Sequence, residues 1–212
     1  LAESGNGEVS LAPALGEEFS GSSLPSGWSQ QVWAPGATVS VVDGQLVSDG
    51  MGFYYNASGF TPGRSLEFEA TFSADDYQSI GFMGYPTWNT YWAFFGTSGS
   101  TSQVYASISG GVNVPVGNLV GTKHRYRIDW TGNTFTFFVD GAQTYQHTVG
   151  YQFTLRPGVI DDTVDGRPAR IDWMRLSPYT SPCAFTSRVF DAGQSVDWQS
   201  LTWAGTLPTN TS

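Results

Sequence analysis

Along most of the chain apolar and polar residues change places at every second position, the period of a strand with one buried face. In RSLEFEATFS, Leu66, Phe68, Ala70 and Phe72 share one side while Glu67, Glu69 and Thr71 share the other. In KHRYRIDW, His124, Tyr126, Ile128 and Trp130 oppose Lys123, Arg125, Arg127 and Asp129. Strands of this half-buried kind belong to antiparallel sheets, because parallel sheets are covered on both faces. From residue 17 onward such runs recur at the spacing of a sandwich or barrel, each bounded by turn residues, and no helical stripe exceeds a turn. Asp43-Gly44 in ATVSVVDGQLVSDG and Asp140-Gly141 between TFTFFV and AQTYQHTV supply the positive φ angles of tight hairpins.

The pattern divides the chain into three. Residues 1–16 read as a polar leader without periodicity, and residues 17–178 as one β domain. Residues 179–212 read as a linker and an incomplete β segment of a following module. LSPYTSPCA carries two prolines that a central strand cannot hold, and the aromatic runs after it are too short to bury their own core.

Composition narrows the classes of function. Aromatic residues make up 15% of the chain and charged ones 13%, which is too many rings for disorder, while 26 Gly and 11 Pro break up long helices. Eighteen acids against nine bases give a net charge of −9, which repels phosphate backbones and anionic lipid and so excludes nucleic-acid and membrane-surface partners. The single cysteine, Cys183, excludes an internal disulfide and a multi-cysteine metal site. The start, LAESGNGEVS, lacks the basic and apolar regions of a signal peptide and is read as a mature or trimmed end. Acidity, little lysine and abundant Ser, Thr, Gly and Trp point to a secreted or cell-surface bacterial-type protein.

The stretch GTKHRYRIDWTGNTFTFFVDGAQTYQHT resembles the concanavalin A-like lectin/glucanase superfamily, in its laminin-G-like, bacterial polysaccharide-associated branch. EEFSGSSLPSGWSQ, VVDGQLVSDG and the closing ARIDWMRLSPY resemble the first and last strands of such domains, which pair with each other. The resemblance covers about residues 17–178 and implies an all-β fold, an antiparallel jelly-roll β-sandwich. SRVFDAG and LTWAGTLP, beyond Phe185, resemble the start of modules that adjoin such domains in large surface proteins. Function does not follow from this fold, which carries lectins, glycosidases, lyases and adhesive spacers.

Two carboxylates at a set separation cleave a glycosidic bond, and Glu67 and Glu69 on one strand are the candidate pair for a glycoside hydrolase or lyase. The glucanase branch that the chain resembles carries E-x-D-x-E, whereas E-F-E-A-T places Thr71 where the third acid belongs. The reading preferred from sequence is therefore a noncatalytic carbohydrate-binding module. Sugar rings pack their C–H faces on aromatic rings and their hydroxyls on planar polar groups. GFMGYPTWNTYWAFFG is dense in both, and the expected platform is Trp88, Trp92, Tyr91, Tyr54 and Tyr105, with Asn89 and Glu67 as hydroxyl partners. In YWAFF, Tyr91 and Phe95 point one way and Trp92 and Phe94 the other, so one set packs the core and the other is free for a ligand. Trp28 and Trp33 are expected to cover one end of the sandwich, and Trp130 and Trp173 to lie in its core.

IDDTVDGRPARID sets Asp161, Thr163 and Asp165 at alternate positions before Gly166, with Asp172 further on, which echoes an EF-hand calcium loop. An ordinary acidic turn, partly neutralised by Arg167 and Arg170, is the alternative. The resembled superfamily often holds a structural calcium, which keeps calcium as the expected cofactor. A third reading is a structural adhesin or filament subunit in which Ser187–Asp191 and Leu201–Ala204 complete a neighbour by strand addition. The expected partners are thus a polysaccharide or glycan, other modules of the same polypeptide, or neighbouring subunits.

Overall fold

The computed structural model describes residues 2–3, 9–87, 90–99, 102–150 and 154–179, and holds strands, turns and loops with no helix among them. Trp88, Asn89, Cys183 and the segment 180–212, with its two strand-addition candidates, lie outside the described residues. The strands in chain order are β1 (Ala2–Glu3), β2 (Val9–Ser10), β3 (Pro13–Glu17), β4 (Trp28–Val32), β5 (Thr38–Val42), β6 (Gln45–Asp49), β7 (Met51–Tyr55), β8 (Arg64–Thr71) and β9 (Ser79–Gly84). They continue as β10 (Trp92–Gly96), β11 (Val104–Ile108), β12 (Val112–Gly117), β13 (Lys123–Thr131), β14 (Thr134–Val139), β15 (Ala142–Thr148), β16 (Leu155–Ile160) and β17 (Ala169–Tyr179).

Two antiparallel sheets face each other. One runs β12-β11-β10-β9-β16-β7-β4, and the other β15-β14-β13-β8-β17-β6-β5, with β3 added alongside β17. Alternation in sequence becomes alternation in space: Leu66, Phe68 and Ala70 of β8 lie opposite Ile128, Tyr126 and His124 of β13. From the other sheet Ile80, Phe82, Ala93, Phe95, Val104 and Ala106 meet them, all fully buried. Phe95 sits 4.9 Å from Tyr126 and 5.1 Å from Phe137, centroid to centroid, so rings join the two layers. Each such buried ring contributes about 1.5–3 kcal/mol by leaving water.

The two expected hairpins form, with positive φ at Asp43, Gly44, Asp140 and Gly141. β3 pairs with β17 through Glu17 opposite Met174, so the first and last strands of the domain adjoin as the resemblance implies. That strand begins at Pro13, inside the segment read from sequence as a leader.

Trp173 is buried as expected, but on the outer face of its sheet rather than between the sheets. The register of β17 against β8 shifts between Ile171 and Trp173, so Ile171 faces the core opposite Ala70 while Trp173 pairs with the outward Glu69. A bulge of this kind inserts one residue and reverses the parity of every later position in the strand. Trp173 is covered from outside by Arg175 and Arg125, at 4.4 and 5.5 Å from its ring, and Met174 fills the core position. Trp130 is fully buried as expected.

Candidate functional site

The outer face of the seven-stranded sheet carries the concentration of rings. Phe95, opposite Ile80, points inward, and strand parity then turns Trp92 and Phe94 outward. Their rings stack at 6.5 Å with 12° between planes. Met83, Phe94 and Ile160 form a buried apolar floor on this side, against which Trp33, Tyr54 and Trp92 pack while partly exposed. Two glycines let the rings lie close to the backbone. A Cβ at Gly158 would stand 2.2 Å from Met83 Cε and 3.0 Å from Tyr54 Cβ, and one at Gly52 would stand 2.6 Å from Trp33 Nε1.

A groove of about 500 Å³ results, lined by Trp33, Tyr77, Trp92, Phe94 and Ile160 together with Ser79, Ser98, Ser107 and Asp162. Its rim is wired for polar contact: Ser107 donates to Asn113 Oδ1 at 2.6 Å, and Asn113 Nδ2 donates to Ser98 Oγ at 2.7 Å. Asp162 opens to solvent at one edge. Partial burial of its carboxyl, with the charge of Asp75 nearby, raises its affinity for a proton above that of a free aspartate.

Behind Asp162 lies a buried acid network. Asp161, fully buried, accepts hydrogen bonds from Gly50 N at 3.0 Å, Gln78 Nε2 at 2.9 Å and Ala169 N at 3.3 Å. Burial nevertheless pushes it up to about 6. Asp75 is raised chiefly by burial as well, and both its oxygens accept the Thr163 hydroxyl at 2.8 Å.

The residues expected from sequence divide between this face and elsewhere. Trp92 and Tyr54 share the groove face, and Tyr105 stands on it in β11, its hydroxyl donating to Gln103 Oε1 at 3.2 Å. Tyr91 instead packs against the main core. Glu67 belongs to the opposite sheet and cannot join the platform. Of the groove lining, Tyr77 and Asp162 were given no role from sequence, Trp33 was expected at one end of the sandwich, and Phe94 was set on one face with Trp92. Trp33 had a signal, since it continues the polar outward series Ser29 and Gln31 of β4.

Glu67 and Glu69 face outward from β8, each opposite a base. Arg125 Nε donates to Glu67 at 2.8 Å, and Lys123 Nζ lies 3.1 Å from Glu69 while also donating to Asp172. Arg127 pairs with Asp129 at 3.0 Å and rests 3.9 Å over Phe138, and Arg175 pairs with Glu18 at 2.9 Å. This is a cross-strand ladder of alternating sign.

No protein-family model matches the sequence, and neither does any curated protein. Solved structures do match the fold. An endo-β-1,3-glucanase from Pyrococcus furiosus superposes with a TM-score of 0.58 at 13% identity, over 80% of this chain and 95% of its own. The catalytic domain of an endo-1,3-β-glucanase (laminarinase) from Thermotoga petrophila RKU-1 gives 0.55 at 15% identity, over 81% and 99%. A laminarinase from Flavobacterium sp. UMI-01 gives 0.56 at 16%, over 79% and 100%. The fold is a concanavalin A-like jelly roll.

These jelly rolls correct the expectation of a noncatalytic carbohydrate-binding module. The chain spans nearly the whole of structures described as glucanases and laminarinases, one of them expressly a catalytic domain. The residues of the expected calcium loop do not converge on one point. Asp161 spends its oxygens on backbone and Gln78 donors, and Asp165 accepts from Arg167 N at 2.8 Å. Asp172 lies on the outside of the other sheet, bonded to Gln45 and Lys123. Among the described residues the jelly roll gathers no three His, Cys, Asp or Glu side chains that could hold a metal.

Proposed function

We propose that this jelly roll acts on a polysaccharide as a glycoside hydrolase, with the sugar chain laid over Trp33, Trp92 and Phe94 and Asp162 as proton donor. One observation carries the reading: a single groove holds stacked rings, hydroxyl partners and the carboxyl of Asp162, whose affinity for a proton is shifted upward. Rings hold pyranose C–H faces. A general acid works best when its affinity for a proton approaches the working pH, and burial with a neighbouring like charge is the usual way to raise a carboxyl. Asp162 gives its proton to the glycosidic oxygen as the bond to the anomeric carbon breaks, and the leaving sugar departs as an alcohol. Water then adds to the anomeric carbon and returns a proton to the carboxylate. The likeness to glucanase and laminarinase folds supports the same reading.

The test is release of reducing ends from a β-1,3-glucan, a mixed-linkage β-1,3-1,4-glucan and mucin O-glycans, which represent the activities of neighbouring structures. The wild type is expected to release product from at least one. Asp162→Asn should lower the rate about 100-fold or more with binding retained, and Glu67→Gln should leave it unchanged. A wild type that holds a polysaccharide yet releases nothing would overturn hydrolysis.

A further inference from the structure

Tyr77 is the groove residue that packing explains least. The residue is 54% exposed, whereas Trp33 and Trp92 are part-covered and Phe94 is buried. Its backbone lies in the left-handed region at φ 66°, which a bulky side chain adopts only where the surroundings impose it.

The next residue imposes it. Gln78 is fully buried, and three segments hold its polar groups. Its backbone N donates to Thr97 Oγ1 at 2.9 Å, and its backbone O accepts from Thr97 N at 2.9 Å. Its side-chain oxygen accepts from Ser73 N at 2.8 Å, and its side-chain nitrogen donates to Asp161 at 2.9 Å and to the Arg167 carbonyl at 2.6 Å. The network thus fixes the chain on one side of Tyr77, and the phenol ring projects over the groove without filling any core. A strained position held by a satisfied buried network, presenting an apolar ring to water beside a ring-lined groove, is the pattern of a residue kept for ligand contact.

We propose that Tyr77 is a binding residue that stacks on a sugar ring in the groove from the solvent side, opposite the sheet-borne Trp92 and Phe94, and that Gln78 is its positioning residue. This rests on the glycan reading of the groove and adds a residue that decides how tightly a sugar is gripped. The experiment is affinity electrophoresis in gels containing the β-1,3-glucan, the mixed-linkage glucan or mucin O-glycans, for wild type, Tyr77→Gly and Tyr77→Phe, with thermal melting of each. Tyr77→Gly should weaken retention about tenfold while melting no lower than wild type, because glycine relieves the positive φ. Tyr77→Phe should bind within about twofold of wild type, because the ring is kept. Equal retention of wild type and Tyr77→Gly overturns this inference alone. Absence of wild-type retention on every gel overturns the glycan reading and this inference with it.

Discussion

At the scale of the residue, Asp161 links the groove to pH. Its ordinary value is 3.8 and burial raises it to about 6, so between those values the folded chain holds a proton that the unfolded chain has released. Stability from this group is therefore fully present below about pH 4 and is lost as pH rises through about 6, by on the order of 3 kcal/mol. Asp75 and Asp162 are raised as well and act in the same sense. Urea unfolding from pH 4 to pH 7 should show the free energy falling across this window. Asp161→Asn should show a flatter slope across this window, because an amide does not titrate. A wild-type free energy that rises steadily across the window contradicts this account of the network.

At the scale of the element, parity decides which rings reach the site. Strict alternation from Leu66 to Ala70 and from Tyr126 to Trp130 made the faces of β8 and β13 readable, and the Asp-Gly pairs made the hairpins readable. Alternation also showed that Trp92 and Phe94 oppose Phe95, but not which pair faced water. That depended on the partner strand β9, whose Ile80 and Phe82 point inward. Trp173 was not readable, because a bulge leaves no mark in composition and flips every position after it. The bulge has a measurable consequence. Trp130→Ala should cost about 3–5 kcal/mol in urea unfolding, as loss of a core ring does, and Trp173→Ala about 1–2 kcal/mol, since its ring lies beneath Arg125 and Arg175. Equal costs would place both rings in the core.

At the scale of the molecule, the two sheets turn different chemistry outward. The eight-stranded sheet shows a ladder of ion pairs, each worth no more than about 1 kcal/mol at a surface, which suits a solvated wall. The seven-stranded sheet shows rings, hydroxyls and the Asp162 carboxyl in one groove. Sequence placed the acids and the rings on strands but could not tell that they belong to different sheets, because strand order is set by long-range pairing. Hence Glu67 was grouped with Trp92 although the sandwich separates them. The direct measurement is retention in a polysaccharide gel of Trp92→Ala against Glu67→Gln, both folded by circular dichroism. The account expects Trp92→Ala to migrate freely while Glu67→Gln is slowed as much as wild type; free migration of Glu67→Gln with Trp92→Ala still held would contradict it.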